Sequence, residues 1–260
     1  MSVHGIEFGT GYEERQPVVL LLDTSASMGR PAEHPRIDEL NDALTRWFDG
    51  VRAQERLRTR VEVCLITFDS AVRVYDPGAG RLVPVGEADA DRLFVPADSM
   101  RPPTLRADGL TRLTEAVETA LELARARYRT LQEQRVPVRR PFLWALTDGA
   151  PSDAQGHPLD AKALADTAEQ VRQGEEKGEW VFQVIGVRGA DLPMLRVLAP
   201  KATSPLENLD FGRILDLLFQ STDDSSPDQT ADLIHQQVND RAARLARMER
   251  VEKRAERGHG

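Results

Sequence analysis

Apolar and polar positions along the chain fall into alternating blocks of two kinds. Pro17 to Asp23 (PVVLLLD) is apolar up to its final carboxylate, the pattern of a strand covered on both faces in the middle of a parallel sheet. After a polar loop containing Gly29, Pro31 and Pro35, apolar residues return at helical spacing (Ile37, Leu40, Leu44, Trp47, Phe48, Val51) and predict the first helix. Val61 to Thr67 reads as a second strand. Ala71 to Tyr75 follows the turn Phe68-Asp69-Ser70, which is too short for a crossover, so this segment should pair with the second strand as an antiparallel hairpin. Residues 76–108 are rich in Pro, Gly, Asp and Ala, show little periodicity, and read as a long surface connection.

Beyond them the spacing predicts a helix from about Leu110 to Arg129, with Leu113, Val117, Leu121 and Ala124 on one face. Pro141 to Thr147 (PFLWALT) is another wholly apolar strand, broken by Asp148-Gly149. A helix from about Leu159 to Glu176, a strand Trp180 to Val187, a short helix near Pro193 to Leu198 and a helix Phe211 to Phe219, with Asp210 as its N-cap, complete the pattern. Alternation of this kind predicts an α/β doubly wound fold: a mostly parallel central sheet with one antiparallel edge strand and helices on both faces. The composition then changes. STDDSSPDQT, from Ser221, reads as a linker. Ala231 to Arg257 is charged, with Ile234, Val238, Ala242, Leu245 and Met248 three or four apart. Such a tail forms an amphipathic helix that either packs back on the domain or serves as a partner or dimer helix. The expected division is a leader over residues 1–16, a domain over 17–222, and a linker with a helical tail over 223–260.

A chain of 260 residues with 40% hydrophobic content can fill one large α/β core. Its net charge of −8 argues against broad binding to nucleic acid or anionic membranes. The arginine groups at Arg52/Arg56/Arg58/Arg60 and Arg135/Arg139/Arg140 lack interleaved aromatics and read as solvated helix ends and loops. No apolar run approaches the ~20 residues that span a bilayer, and the N-terminal stretch shows no basic-then-apolar leader, so a soluble cytoplasmic protein is expected. The single cysteine, Cys64, excludes an intrachain disulfide and reads as a small core residue. The five histidines (His4, His34, His157, His235, His259) show no paired spacing for a metal or a catalytic triad.

In doubly wound folds ligands lie outside the carboxyl ends of the strands. Asp23, Ser25 and Ser27 follow the first strand there, Asp148 follows PFLWALT, and Thr111 stands where the second helix must begin at the same edge. This is an all-oxygen, hard donor set, which suits Mg²⁺ or Mn²⁺. Two carboxylates against a divalent ion leave the site near neutral, so a partner's carboxylate is not repelled. Asp69 and Asp153 read as turn or capping residues.

DTSAS, at Asp23 to Ser27, matches the DxSxS signature of the metal-ion-dependent adhesion site of von Willebrand factor A domains. The threonine in GLTRL and the aspartate in LTDGAPSD match the second and third loops of that site. PVVLLLDTSASM, LITFDSAV, LTDGAPSD and a final helix after NLDF together resemble the bacterial tellurium-resistance TerY-type branch, over roughly Gln16 to Thr222. The resemblance implies that Ser25 and Ser27 bind the ion directly, Thr111 directly or through water, and Asp23 and Asp148 mainly through hydrogen-bonded waters. The second loop departs from the branch's pattern: Thr114 stands where a glycine is usual, which makes it the alternative to Thr111.

The resemblance further implies a non-enzymatic protein-binding module whose partner completes the ion with an acidic side chain. Its setting would be a stress-response or tellurite-resistance system with a protein kinase and a PP2C-type phosphatase. An accessory subunit of an AAA+ ATPase is the alternative. An aspartyl phosphatase of the haloacid-dehalogenase type needs a second carboxyl two residues after the first, where this chain has Ser25. Nucleotide-binding loops of the GxxxxGK[ST] or GxGxxG kind are absent from the sequence.

Overall fold

A computed structural model describes residues 13–206 and 210–257. The expected leader falls mostly on residues 1–12, outside the described residues, as do His4 and His259. Five strands form the parallel part of one sheet: β1 (Gln16–Asp23), β2 (Val61–Phe68), and, across the chain, the strands that follow residue 140. The antiparallel hairpin strand is β3 (Val72–Asp76), paired with β2, and β4 (Arg81–Pro84) adds outside it. β5 (Val95–Pro96) makes a short antiparallel pairing with β2, while β6 (Phe142–Thr147), β7 (Val181–Gly186) and β8 (Thr203–Pro205) extend the parallel part. The order is β4-β3-β2-β1-β6-β7-β8.

β1, β2, β6 and β7 are buried at every position. Helices cover both faces, which explains why these segments carry no alternation of apolar and polar residues. Val18, Leu20 and Leu22 of β1 pack with α1 (Arg36–Gly50), α6 (Phe211–Asp224) and α7 (Ala231–Arg257). Val19 and Leu21 point the other way, onto α3 (Leu113–Glu133), α4 (Ala165–Glu176) and α5 (Leu192–Leu198). A one-turn helix, α2 (Glu55–Arg60), leads into β2. Trp47 of α1 stacks on Phe219 of α6 with ring centroids 3.7 Å apart. Cys64 is buried in the second core cluster, and burial pushes its thiol up to about 12, so it is an inert core side chain.

Several boundaries differ from the sequence reading. Residues 76–108 carry β4, β5 and short 3-10 turns, and Val83, Leu93, Ala97, Met100 and Leu105 from this stretch are buried. It is a packed segment whose apolar residues join the two main core clusters, Ala97, Met100 and Leu105 on one face of the sheet and Val83 and Leu93 on the other. The second long helix begins at Leu113, three residues later than its apolar spacing indicated, and α4 begins at Ala165 instead of Leu159. α6 runs on to Asp224, so the first residues of the expected linker are helical. The tail folds back: Ile234, Val238 and Ala242 of α7 are buried against the α1/α6 side of the sheet, while Met248 and Val251 are exposed.

Candidate metal centre

From β1 the chain passes through α1 to β2 on one side, and after α3 it returns to β6 on the other side of β1. The reversal leaves a crevice at the carboxyl ends of β1 and β6. In register, Leu22 lies opposite Leu146, so the next residues, Asp23 and Thr147, end side by side. Every residue of the predicted set lies along this crevice.

Asp23 is fully buried. Its Oδ1 accepts from the Ser25 amide at 2.8 Å and its Oδ2 from the Thr147 hydroxyl at 2.5 Å. The first of these bonds turns the chain sharply after β1 and aims the next two serines inward. Ser25 Oγ lies 2.9 Å from Ser27 Oγ, and Ser27 Oγ donates to Asp148 Oδ1 at 2.5 Å. Three side chains from two loops therefore form one continuous line of oxygens.

Thr111 comes from the third loop. It sits two residues ahead of α3, whose N-cap position is Arg112 with no side-chain cap, so Thr111 is not a helix cap. Its main chain is clamped to the β6 loop: its carbonyl accepts from the Ser152 amide at 2.9 Å and its amide donates to Ser152 Oγ at 3.1 Å. A Cβ added at Gly149 would meet Thr111 Oγ1 at 2.8 Å and Asp23 Oδ2 at 3.6 Å. Gly149 is thus small because the threonine and aspartate close in over it, and the Asp148-Gly149 pair is more than a turn. Thr114 lies half-buried within the first turn of α3.

Burial, with the Asp148 charge as a lesser contributor, raises the Asp23 carboxyl to about 6 against the hydrogen bonds that favour its ionised form. Asp148 is also raised, first by burial, against the Ser27 hydrogen bond and the Arg36 charge. Two carboxylates held out of water this way are poised for a cation. Asp148 Oδ2 is buried and accepts no well-aligned hydrogen bond, although the Arg36 guanidinium lies 3.0 Å from it. Among the described residues no group of three or more His, Cys, Asp or Glu side chains comes together. Three hydroxyls and two carboxylates therefore fit a hard divalent ion such as Mg²⁺ and do not resemble a thiol or imidazole zinc set.

No family model matches this chain, and no curated protein matches it. Solved structures that it resembles include von Willebrand factor A domains. A von Willebrand factor type A protein from Catenulispora acidiphila is 16% identical with a TM-score of 0.45, covering 87% of this chain and 42% of that one. The ArnB paralog VWA2 from Sulfolobus acidocaldarius is 13% identical with a TM-score of 0.42, covering 81% and 46%. Proximal thread matrix protein 1 from the mussel byssus, described with a zinc-occupied MIDAS motif, is 18% identical with a TM-score of 0.44, covering 80% and 46%. The chain spans less than half the length of these three.

One charged residue at the crevice has no counterpart in the sequence reading. Arg36, in the first turn of α1, places Nη1 3.0 Å from Asp148 Oδ2. The same guanidinium donates from Nε to the Arg30 carbonyl at 3.1 Å, from Nη2 to the Ser27 carbonyl at 3.3 Å, and from Nη1 to the Arg188 carbonyl. With Arg36 counted, a divalent ion among Asp23, Asp148 and Arg36 leaves a net charge of about +1, where the sequence alone indicated neutrality. Thr147 likewise stands outside the sequence-predicted set, although its place directly before Asp148 is a signal once β1 and β6 are known to be neighbours. Asp69 and Asp153 lie outside the line of oxygens. Asp69 holds Arg73 at 2.8 Å and accepts from Thr24 at 3.1 Å, while Asp153 closes a turn with Gln155, His157 and its own loop.

Proposed function

We propose that this chain is a divalent-cation-dependent protein-binding module without catalytic activity of its own. The observation that carries the reading is the unbroken line from Ser25 through Ser27 to Asp148, backed by buried Asp23 and flanked by Thr111, at the topological switch point of the sheet. A first shell drawn mainly from neutral hydroxyls leaves a bound ion electron-poor. The surplus positive charge at the crevice favours an anionic ligand, and a side-chain carboxylate from a partner is the group that supplies one oxygen with one negative charge. A non-catalytic reading is supported by the engagement of His157 with Asp153 and of His235 with Glu175, neither of which is hydrogen-bonded to these hydroxyls as a base.

Mg²⁺ is the ion this reading takes, with Ser25 and Ser27 bound directly, Thr111 directly or through water, and the two aspartates holding ordered waters. The resemblance of the loop motifs to TerY-type proteins supports a bacterial, cytoplasmic setting in a stress-response or tellurite-resistance system, with a kinase and PP2C-type phosphatase pair among the partners. No helix among the described residues is long and apolar enough to cross a membrane. Partner capture from cells by the full chain, in Mg²⁺, in chelator and with Asp23→Ala, tests the reading. A partner retained only by the wild type in Mg²⁺ is the expected result, and identical partner sets in all three conditions overturn it.

A further inference from the structure

We infer that Arg36 is a resident counter-cation of this centre: it holds Asp148 and the surrounding loops in the ion-free chain, and it weakens the site's affinity for the divalent ion. The inference rests on the metal-binding reading above and concerns how that site is regulated. Its basis is the number and origin of the contacts. One guanidinium, 19% exposed, meets the Asp148 carboxylate, two carbonyls of the loop after β1 (Ser27 and Arg30), and the Arg188 carbonyl after β7. A planar group with five donors can tie three loops at once, which a lysine cannot do.

The neighbouring backbone is shaped for it. Gly189 has φ of +106°, and a Cβ there would meet the Asp148 carbonyl at 3.2 Å and Arg36 Nη1 at 3.4 Å. A side chain at this position would be strained by the backbone and would press on the arginine. The loop after β7 can therefore close over Arg36 only with glycine there. Glu39 and Asp38 share the first turn of α1, but the arginine's charge is directed inward at Asp148 and not at these exposed acids.

Without an ion, two buried carboxylates face each other's charge, and Arg36 is a cation that the structure places against one of them, Asp148. With an ion, the same positive charge is repulsive. Coulomb's law at the dielectric of water makes a unit charge one carboxylate away worth on the order of 10-fold in the affinity of a divalent cation. The centre then fills only when the free ion is abundant, while its loops stay formed when it is scarce.

The test uses the full chain and Mn²⁺ as the probe, with free Mn²⁺ followed by electron paramagnetic resonance, and thermal unfolding measured in chelator and in saturating Mn²⁺. Arg36→Gln is expected to bind Mn²⁺ about 10-fold more tightly than wild type, to unfold at a lower temperature in chelator, and to recover most of that loss when loaded. Arg36→Met retains the aliphatic stem and gives the same readings if the Gln variant folds poorly. Arg36→Lys keeps the charge and should leave Mn²⁺ affinity within about twofold of wild type. If the neutral variants bind Mn²⁺ as weakly as wild type or more weakly, while Asp148→Ala abolishes binding, the counter-cation role is overturned and the metal centre stands. If wild type itself binds no Mn²⁺, both fall.

Discussion

Acidifying the ion-free protein should stabilise it around Asp23, opposite to the usual effect of acid on a carboxylate. This side chain is fully buried, and burial, which disfavours the charge, pushes its carboxyl up to about 6 in the folded chain from the ordinary aspartate value of 3.8. A folded-state value raised above the unfolded one means that the folded chain holds the proton more tightly. The resulting stabilisation is complete below about pH 4 and is lost as pH rises through about 6. The difference between those two values corresponds to roughly 3 kcal/mol, and Asp148, also raised by burial, acts in the same direction. Other carboxylates with lowered values, Asp153 among them, pull the total curve the other way, so the quantity to measure is a difference.

Urea unfolding of wild type and Asp23→Asn in chelator, between pH 4.5 and 7.5, isolates it. Asparagine keeps the Ser25 bond through its carbonyl, and Thr147 can reverse its hydroxyl to accept from the amide. The variant should be about as stable as wild type at the acidic end and more stable by up to about 3 kcal/mol at pH 7.5. Saturating Mg²⁺ should reverse that order at pH 7.5, because only the ionised aspartate gains from the cation. Wild type and Asp23→Asn with parallel pH profiles in chelator would refute the claim that burial, and not hydrogen bonding, dominates at this carboxylate.

Three further outcomes follow from particular contacts. Gly149→Ala places a methyl 2.8 Å from Thr111 Oγ1 and should displace the threonine, lowering Mn²⁺ affinity at least several-fold in a titration while costing about 1–3 kcal/mol in urea unfolding. Thr114→Ala, three residues on in the first turn of α3, should leave that affinity unchanged. Arg127→Ala removes the partner of Glu62, which is 3% exposed and held by two bonds of 2.6 Å, and should cost about 3–5 kcal/mol by the same assay, since an unpaired carboxylate is left buried. Ile234→Ala should cost about 2–5 kcal/mol if α7 belongs to the core as its burial indicates, and a variant as stable as wild type would show the tail to be separable from the domain.

The elements that sequence spacing revealed are those that obey one strong rule over many residues. β1, β2, β6 and β7 are buried on both faces, so their apolar runs stand out, and α1 and α3 are long enough for a 3.6-residue period to repeat. β4, β5 and β8 have four, two and three residues, too few for any period, and the packed 76–108 stretch is built from such pieces joined by single turns. α3 starts later than its spacing predicts because Leu110 is apolar and continues the helical spacing, whereas the backbone there is committed to the Ser70 and Ser152 loops: Leu110 donates to Ser70 Oγ and Thr111 to Ser152 Oγ, both at 3.1 Å.

The same distinction separates the legible part of the metal centre from the hidden part. Asp23, Ser25, Ser27, Thr111 and Asp148 reach the crevice because short side chains stand on strand ends and loop starts, positions that the order of elements already places. Arg36 reaches it along a flexible stem from the first turn of a helix, and an arginine in a helix's first turn more often faces water. Its contribution is nonetheless large in kind: it turns a near-neutral loaded centre into a positive one. In the proposed reading the donor set suits a hard divalent ion, and the arginine biases which ligand charge a bound ion would accept. A neutral partner hydroxyl would satisfy the ion's coordination number, but only an anion also cancels the charge that Arg36 brings to the crevice.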